Sequence, residues 1–264
     1  MSSFVPFLNV QAEGGQVKIL LVPGHDNKSP GAIYGNLKEK DMNLVLANKI
    51  MDILKKDQRF DVHITQNSSG YTPGFVDFFK AKSKSVEIFM ESSKANMESH
   101  FANATFVKNT NALHGLASED TVFKLYGINK WANTNDVDAV VHIHFNDYKR
   151  KTKWAMGDRK GFAIYVPDEQ FVNGAKSRAL AESIFAELDK EYIVSNYYKE
   201  MAGVVPDQKL IAVGANKTLI YSVRSVLVEY GYIYEFGNVD VRQKAYNKMS
   251  ELTVQALKKY FFPV

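Results

Sequence analysis

Val17-Lys18-Ile19-Leu20-Leu21-Val22-Pro23-Gly24-His25 reads as a buried strand that ends on a turn and delivers a histidine. A short apolar, β-branched run bounded by Pro-Gly is a strand signal. In α/β folds the carboxyl end of such a strand is where chemistry collects. Asp26-Asn27-Lys28-Ser29-Pro30-Gly31 is turn-forming. Beyond it, Leu44, Ala47, Ile50, Met51 and Leu54 recur at helical spacing. That stripe puts Glu39 at a helix N-terminus, where the macrodipole alone would favour an acid.

Two later stretches supply further groups. In Val137 to Asn146, Ala139, Val141, Ile143 and Phe145 alternate with Val140, His142, His144 and Asn146, so both histidines and Asn146 project from one strand face. Residues two apart on a strand are roughly 6.5 to 7 Å apart, and either or both histidines can reach one ion at that spacing. Val226-Leu227-Val228-Glu229-Tyr230-Gly231 is a β-favouring run carrying one acid. A carboxylate desolvated in such a run costs a few kcal/mol unless it is paired or given a task.

Strand patterns at 17–23, 60–65, 138–145, 161–166, 208–213 and 225–231 alternate with helical patterns near 40–56, 120–134, 173–190 and 239–260. This is the signature of an α/β fold, doubly wound, with helices on both faces of one mostly parallel six-stranded sheet. A block at about 67–125 interrupts the alternation. Phe75, Phe78, Phe79, Ile88, Phe89 and Met90, then Phe101, Ala104 and Phe106, give it apolar sides, so one or more amphipathic helices packed on the domain are expected there. The expected organisation is an extension at 1–16 and one catalytic domain at 17–264.

The order of these motifs resembles the zinc-dependent N-acetylmuramoyl-L-alanine amidases of the type 3 family, which cut bacterial peptidoglycan. The resemblance rests on Val22-Pro23-Gly24-His25, Pro30-Gly31, Leu37 to Leu44, Ala132-Asn133 before Val140 to Asn146, Gly161-Phe162, and Val226 to Gly231. It covers roughly residues 17 to 260. It implies that His25, Glu39 and His144 hold one Zn²⁺ and that Glu229 is the catalytic carboxylate, with His142 and Asn146 as substrate-facing or ligand-supporting groups. The chain departs from the family pattern at His142, usually Ser; at Phe145, usually small; and at Asp147, usually Ala. Lys130 stands nearest the family's Arg, and Glu235 near its closing Asn. No presumed ligand is among them. Some relatives carry a helix that blocks the groove until a regulatory activator moves it. Glu87, Glu91, Glu98 and His114 are the groups in the 67–125 block that such a gate would use.

Two imidazoles and a carboxylate suit zinc, leaving a fourth position for a water whose pKa the metal can bring to about 7. Mn²⁺ or Co²⁺ fits the same donors. Glu229 is then the group to accept that water's proton and pass it to the leaving amine.

The alternatives meet specific objections. No Gly-x-Gly-x-x-Gly and no Gly-Lys-Ser/Thr follows the first strand, so a phosphate cradle is missing. Tyr148-Lys149-Arg150-Lys151-Thr152-Lys153-Trp154 has the basic, aromatic look of a nucleic-acid surface, but it directly follows the site motif and reads as a basic loop at a groove mouth. A loop at about 191–207 with Tyr192, Tyr197 and Tyr198 is a second candidate wall. Retention of both Glu39 and Glu229 argues against a non-catalytic wall-binding relative. A zinc carboxypeptidase or deacetylase is the nearest competing enzyme.

The net charge of +4 and pI near 8.9 favour an anionic polymer such as cell wall. No apolar stretch is long enough to span a bilayer, and the first residues lack the basic start and apolar centre of a signal peptide. Action at the bacterial wall, periplasmic or extracellular, then requires a trimmed leader or another route, such as that of a phage lysin.

Overall fold

The computed structural model describes residues 15–109 and 117–263. Six strands form the central sheet: β1 (Val17–Pro23), β2 (Phe60–Ile64), β3 (Ala139–Asn146), β4 (Ala163–Pro167), β5 (Val204–Asp207) and β6 (Arg224–Tyr232). Their order is β2-β1-β3-β6-β4-β5, parallel at every junction except the antiparallel β6–β4 pair. The expected mostly parallel α/β fold is present. β1, β3 and β6 are adjacent and share one direction, so His25, His144 and Glu229 arrive at the same edge of the sheet.

Helices cover both faces. On one side α1 (Glu39–Leu54), α5 (Gly174–Leu188) and α6 (Val239–Phe261) bury Met42, Leu46, Ile50, Leu180, Ile184 and Met249 against Ile19, Leu21, Val141, Ile143 and Val228. On the other, α2 (Pro73–Ala81) and α4 (Glu119–Thr134) bring Phe75, Ile128 and Ala132 onto Leu20, Val22 and Val140. The alternate residues of β3 therefore feed different cores, as the period of two requires.

Within the 67–125 block the described residues include the expected amphipathic helices: α2 and α3 (Ser83–Ala102) form a helical layer on α4. Phe79 and Val86 sit so close over Gly127 that a Cβ there would lie 2.8 Å and 3.6 Å from them. Gly127 thus lets the inserted layer approach the helix backbone.

One expected strand is corrected. Residues 208–213 are not a strand; β5 ends at Asp207 and residues 211–213 form a single 3₁₀ turn. Asp207 Oδ1 accepts from the backbone of Lys209 at 2.6 Å and Leu210 at 2.7 Å, an Asx turn that ends the strand. The strand itself contains Pro206, tolerated because β5 is at the sheet edge.

Candidate metal centre

The site begins with backbone geometry. Gly24 N–H donates to the Ile143 carbonyl at 2.9 Å, extending the β1–β3 pairing one residue past the strand. His25 then turns with φ of +68°, a left-handed value uncommon for a non-glycine residue. The side-chain amide of Gln66 holds this turn, donating to the Pro23 carbonyl at 2.8 Å and the His25 carbonyl at 2.7 Å. Asp26 closes the following loop by accepting from the backbone of Lys28 and Ser29, both at 2.9 Å. Lys124 of α4 bridges Asp26 at 3.3 Å and Asp120 at 2.7 Å, fastening the loop to the helix.

Glu39 opens α1 and is 4 % exposed. His25 Nε2 lies 3.0 Å from its Oε2 and His144 Nδ1 lies 3.0 Å from its Oε1. The backbone of Ala32 donates to Oε2 at 2.8 Å and that of Phe145 to Oε1 at 3.3 Å. Asn43, one turn along α1, donates to Oε1 at 3.5 Å and to the Gly24 carbonyl at 3.0 Å. Burial opposes ionisation here, but the hydrogen bonds and charges of His144 and His25 prevail and hold Glu39 well below the usual carboxylate range.

The donor atoms of His25, Glu39 and His144 all lie within 4.8 Å of one another, and the two rings meet edge to face at 5.1 Å. This set fits a divalent cation. It offers two imidazole nitrogens and one carboxylate from three elements. Burial would lower the His25 imidazole, but Glu39, Asp26 and Ser29 together raise it; for His144 burial prevails over Glu39 and lowers it. Two glycines clear the space. A Cβ on Gly24 would lie 2.1 Å from His144 Cε1, and one on Gly31, whose φ is +73°, would lie 2.4 Å from Glu39 Oε2.

Glu229 lies on β6 in register with His144 of β3. Its Oε2 is buried and has no hydrogen-bond partner among the described residues. Burial first, then the charges of Glu39 and Glu200, push this carboxyl well above its ordinary value. These surroundings favour the protonated carboxyl.

His142 shares a strand face with His144 but lies outside the donor cluster. It pairs with Val22 and Leu227, is 1 % exposed, and its Nε2 has no hydrogen-bond partner among the described residues. Burial, with His144 adding to it, brings it down to about 3, so it is neutral. Asn146 turns instead to Glu200, donating at 2.9 Å. Of the block at 67–125, Glu87 bonds Ser83 and Lys84 on its own helix, Glu91 and Glu98 are exposed, and His114 lies outside the described residues. None of these acids joins the cluster.

The basic run after β3 is an ordered loop. Arg150 holds both oxygens of Asp147 at 2.8 Å and donates to the Ile33 carbonyl at 2.8 Å, tying the loop to the segment that precedes Glu39. Trp154 packs over Gly35, and an open cavity of about 450 Å³ is lined by Tyr148, Lys149, Arg150 and Lys153. Tyr197 joins this wall, 5.5 Å from Tyr148. Tyr192 does not; it packs toward α6 with its hydroxyl on the Ala245 carbonyl. Glu235, near the position of the family's closing asparagine, accepts from the backbone of Tyr232 at 2.8 Å and Gly161 at 3.2 Å. Gln66, Asn43, Asp26 and Glu200 were not signalled by the sequence; only an Asx pattern at Asp26-Asn27-Lys28-Ser29 marks one of them.

Residues 19–259 match the profile of the N-acetylmuramoyl-L-alanine amidase family. The chain belongs to this family. It is thus a peptidoglycan amidase, a hydrolase of the cell wall. The fold agrees with solved amidases. An N-acetylmuramoyl-L-alanine amidase from Clostridium difficile 630 superposes with a TM-score of 0.57 at 16 % identity, covering 94 % of this chain and 98 % of that one. The CwlD amidase of Clostridioides difficile, solved in complex with the GerS lipoprotein, gives 0.58 at 17 %, covering 93 % and 98 %. Ami1 of Mycobacterium smegmatis gives 0.58 at 13 %, covering 94 % and 97 %. No curated protein is significantly similar in sequence. Among the described residues no helix is long and apolar enough to cross a membrane.

Proposed function

We propose that this amidase is zinc-dependent, that His25, Glu39 and His144 hold the metal, and that Glu229 moves the proton during cleavage of the bond between N-acetylmuramic acid and L-alanine. The observation that carries this reading is the convergence of two imidazoles on opposite oxygens of one buried carboxylate. When bound there, zinc supplies Lewis acidity, polarising the scissile carbonyl and acidifying water.

The chain's own groups do the rest. Glu229 in its ionised form would take the proton of the attacking water on its unpartnered Oε2. As the carbon–nitrogen bond breaks, it returns that proton to the departing amine of L-alanine, and the acyl carbon leaves as the lactyl carboxylate. Asn43 and the backbone N–H groups of Ala32 and Phe145 keep Glu39 oriented throughout. Asn146 orients the substrate amide, His142 supports β3 from below, and the Tyr148–Trp154 loop forms the groove wall.

Residues 17–264 would form the catalytic domain, acting at the bacterial wall in the periplasm or outside the cell. The complex of the related CwlD with a lipoprotein motivates a regulatory protein partner for this chain as well. The deciding experiment is digestion of purified peptidoglycan followed by analysis of the new termini. New L-alanine amino groups are expected. Released D-alanine would indicate a carboxypeptidase, released acetate a deacetylase, and no new termini a wall-binding relative.

A further inference from the structure

Glu200 is a loop glutamate that is only 2 % exposed. Its Oε1 accepts from Asn146 Nδ2 at 2.9 Å and from the Tyr165 hydroxyl at 2.7 Å. Its Oε2 accepts from the Ser195 hydroxyl at 2.5 Å and the Tyr232 hydroxyl at 3.1 Å. One carboxylate thereby joins the ends of β3 and β6, the middle of β4 and the loop before β5. Hydrogen bonds to an ionised acceptor are about twice as strong as neutral ones. Four of them make this point stiff.

The consequence falls on Asn146. Its Nδ2 is committed to Glu200 and its Oδ1 accepts the Asp147 backbone N–H at 2.8 Å, so the carboxamide plane is fixed from both ends. Asn146 lies two residues beyond His144 on the same strand face, and it pairs with Tyr232 where Glu229 pairs with His144. The same node therefore fixes both strand ends just past the presumed ligand and the presumed proton carrier. It reaches the groove wall too, because Ser195 Oγ accepts from the Tyr197 backbone at 3.2 Å and Tyr197 stands against Tyr148.

We propose that Glu200 is a positioning residue for amide hydrolysis, acting through the Asn146 carboxamide it holds. This rests on the reading of the site as a zinc amidase. A tie that merely stabilises the fold would change the melting temperature and leave turnover by the folded protein unaltered.

The test compares wild type, Glu200→Ala, Glu200→Gln, Asn146→Ala and the double variant Glu200→Ala/Asn146→Ala on purified peptidoglycan, with zinc content and thermal midpoint measured for each. Glu200→Ala should lower kcat about 10- to 100-fold, the usual cost of losing a group that orients a site residue, with KM and zinc content unchanged. Glu200→Gln should recover most of the loss, since its oxygen still accepts from Asn146 while the Ser195 and Tyr232 hydroxyls can turn to accept from its amide. The double variant should be no slower than Asn146→Ala, because the two residues act as one unit. Unchanged kcat in folded, zinc-loaded Glu200→Ala, or additive losses in the double variant, would overturn the proposal. If Glu200→Ala does not fold, Ser195→Ala/Tyr232→Phe removes both Oε2 donors and keeps the acid; it should lower kcat at constant KM, and an unchanged kcat overturns the proposal equally. A wild type with no amidase activity overturns the zinc-amidase reading itself, a separate outcome.

Discussion

Glu39 and Glu229 stand on either side of His144, and the chain treats them in opposite ways. Around Glu39 it gathers donors: two imidazoles, two backbone N–H groups and the Asn43 amide all point at one carboxylate. Around Glu229 it gathers apolar strand residues and two further acids, and leaves Oε2 unpartnered. The first environment removes a proton and fixes the geometry; the second invites a proton and leaves room for it to move. A carboxylate used as a ligand needs the former, and one used as a base and acid needs the latter. Sequence position places Glu39 at a helix N-terminus and Glu229 inside a strand run, but does not reveal the donors that gather around the one and not the other.

The contrast is broken most directly at the ligand end. His25→Ala or Glu39→Ala removes one of three protein donors, so zinc should fall from about one per chain to none and hydrolysis should drop to background. Metal analysis of the purified variants decides it. Full zinc occupancy in either would mean that the gathered donors serve only the fold.

Next comes Glu229→Gln, which keeps shape and loses basicity. Hydrolysis should fall at least about a hundredfold with zinc retained. The same variant reports on stability in the metal-free protein. The folded-state proton affinity of Glu229 lies above that of the unfolded chain, so its ionisation costs stability increasingly as pH rises above about 4.3, the ordinary glutamate value. Metal-free Glu229→Gln should therefore melt higher than wild type at pH 7 to 8, with the advantage gone near pH 4. Equal midpoints at both pH values would remove the distinction between the two acids.

A smaller effect is expected from Gly24→Ala. The added Cβ would lie 2.1 Å from His144 Cε1, with no side chain of its own to bend away, so the imidazole must swing off its line to Glu39. Zinc affinity should weaken about 10- to 100-fold, as for other losses of ligand orientation. Competition with a chelator measures it, and unaltered affinity would show that the His144 ring is free to relocate.

The parallel core and the convergence of His25, Glu39 and His144 at its edge were legible because the signals are local. Val17 to Pro23 and Ala139 to Asn146 carry their own strand patterns, and the chain direction of adjacent parallel strands collects their ends. Glu39 was legible because the helical stripe begins beside it. What escaped depends on partners distant in sequence. Val204-Val205-Pro206-Asp207 looks like a turn because of Pro206, and only an edge position in the sheet makes it a strand. Glu200 reads as a solvated charge in a tyrosine-rich loop, and nothing nearby announces donors from Asn146, Tyr165 and Tyr232. Alternation gave His142 and His144 the same face, but not their different depths.

That depth supplies the smallest effect on the site. His142 lies two residues back along β3, beneath the donor cluster, with its Nε2 buried and without a partner among the described residues. It is neutral down to about pH 3, so it brings no charge that Glu39 or Glu229 must answer. If the contrast between the two acids is set by His144 alone, His142→Ser should keep about one zinc per chain, as three donors require, and change kcat by no more than about threefold, well short of a general acid–base loss. Its cost should appear in stability instead. Removing a buried ring leaves a cavity at a site that is 1 % exposed, a loss of the order of 2 kcal/mol. Metal content and thermal midpoint together read the outcome: a stable variant that has lost its zinc would make His142 a ligand and redraw the centre, whereas a less stable variant that keeps its metal leaves His25, Glu39 and His144 as the full protein set.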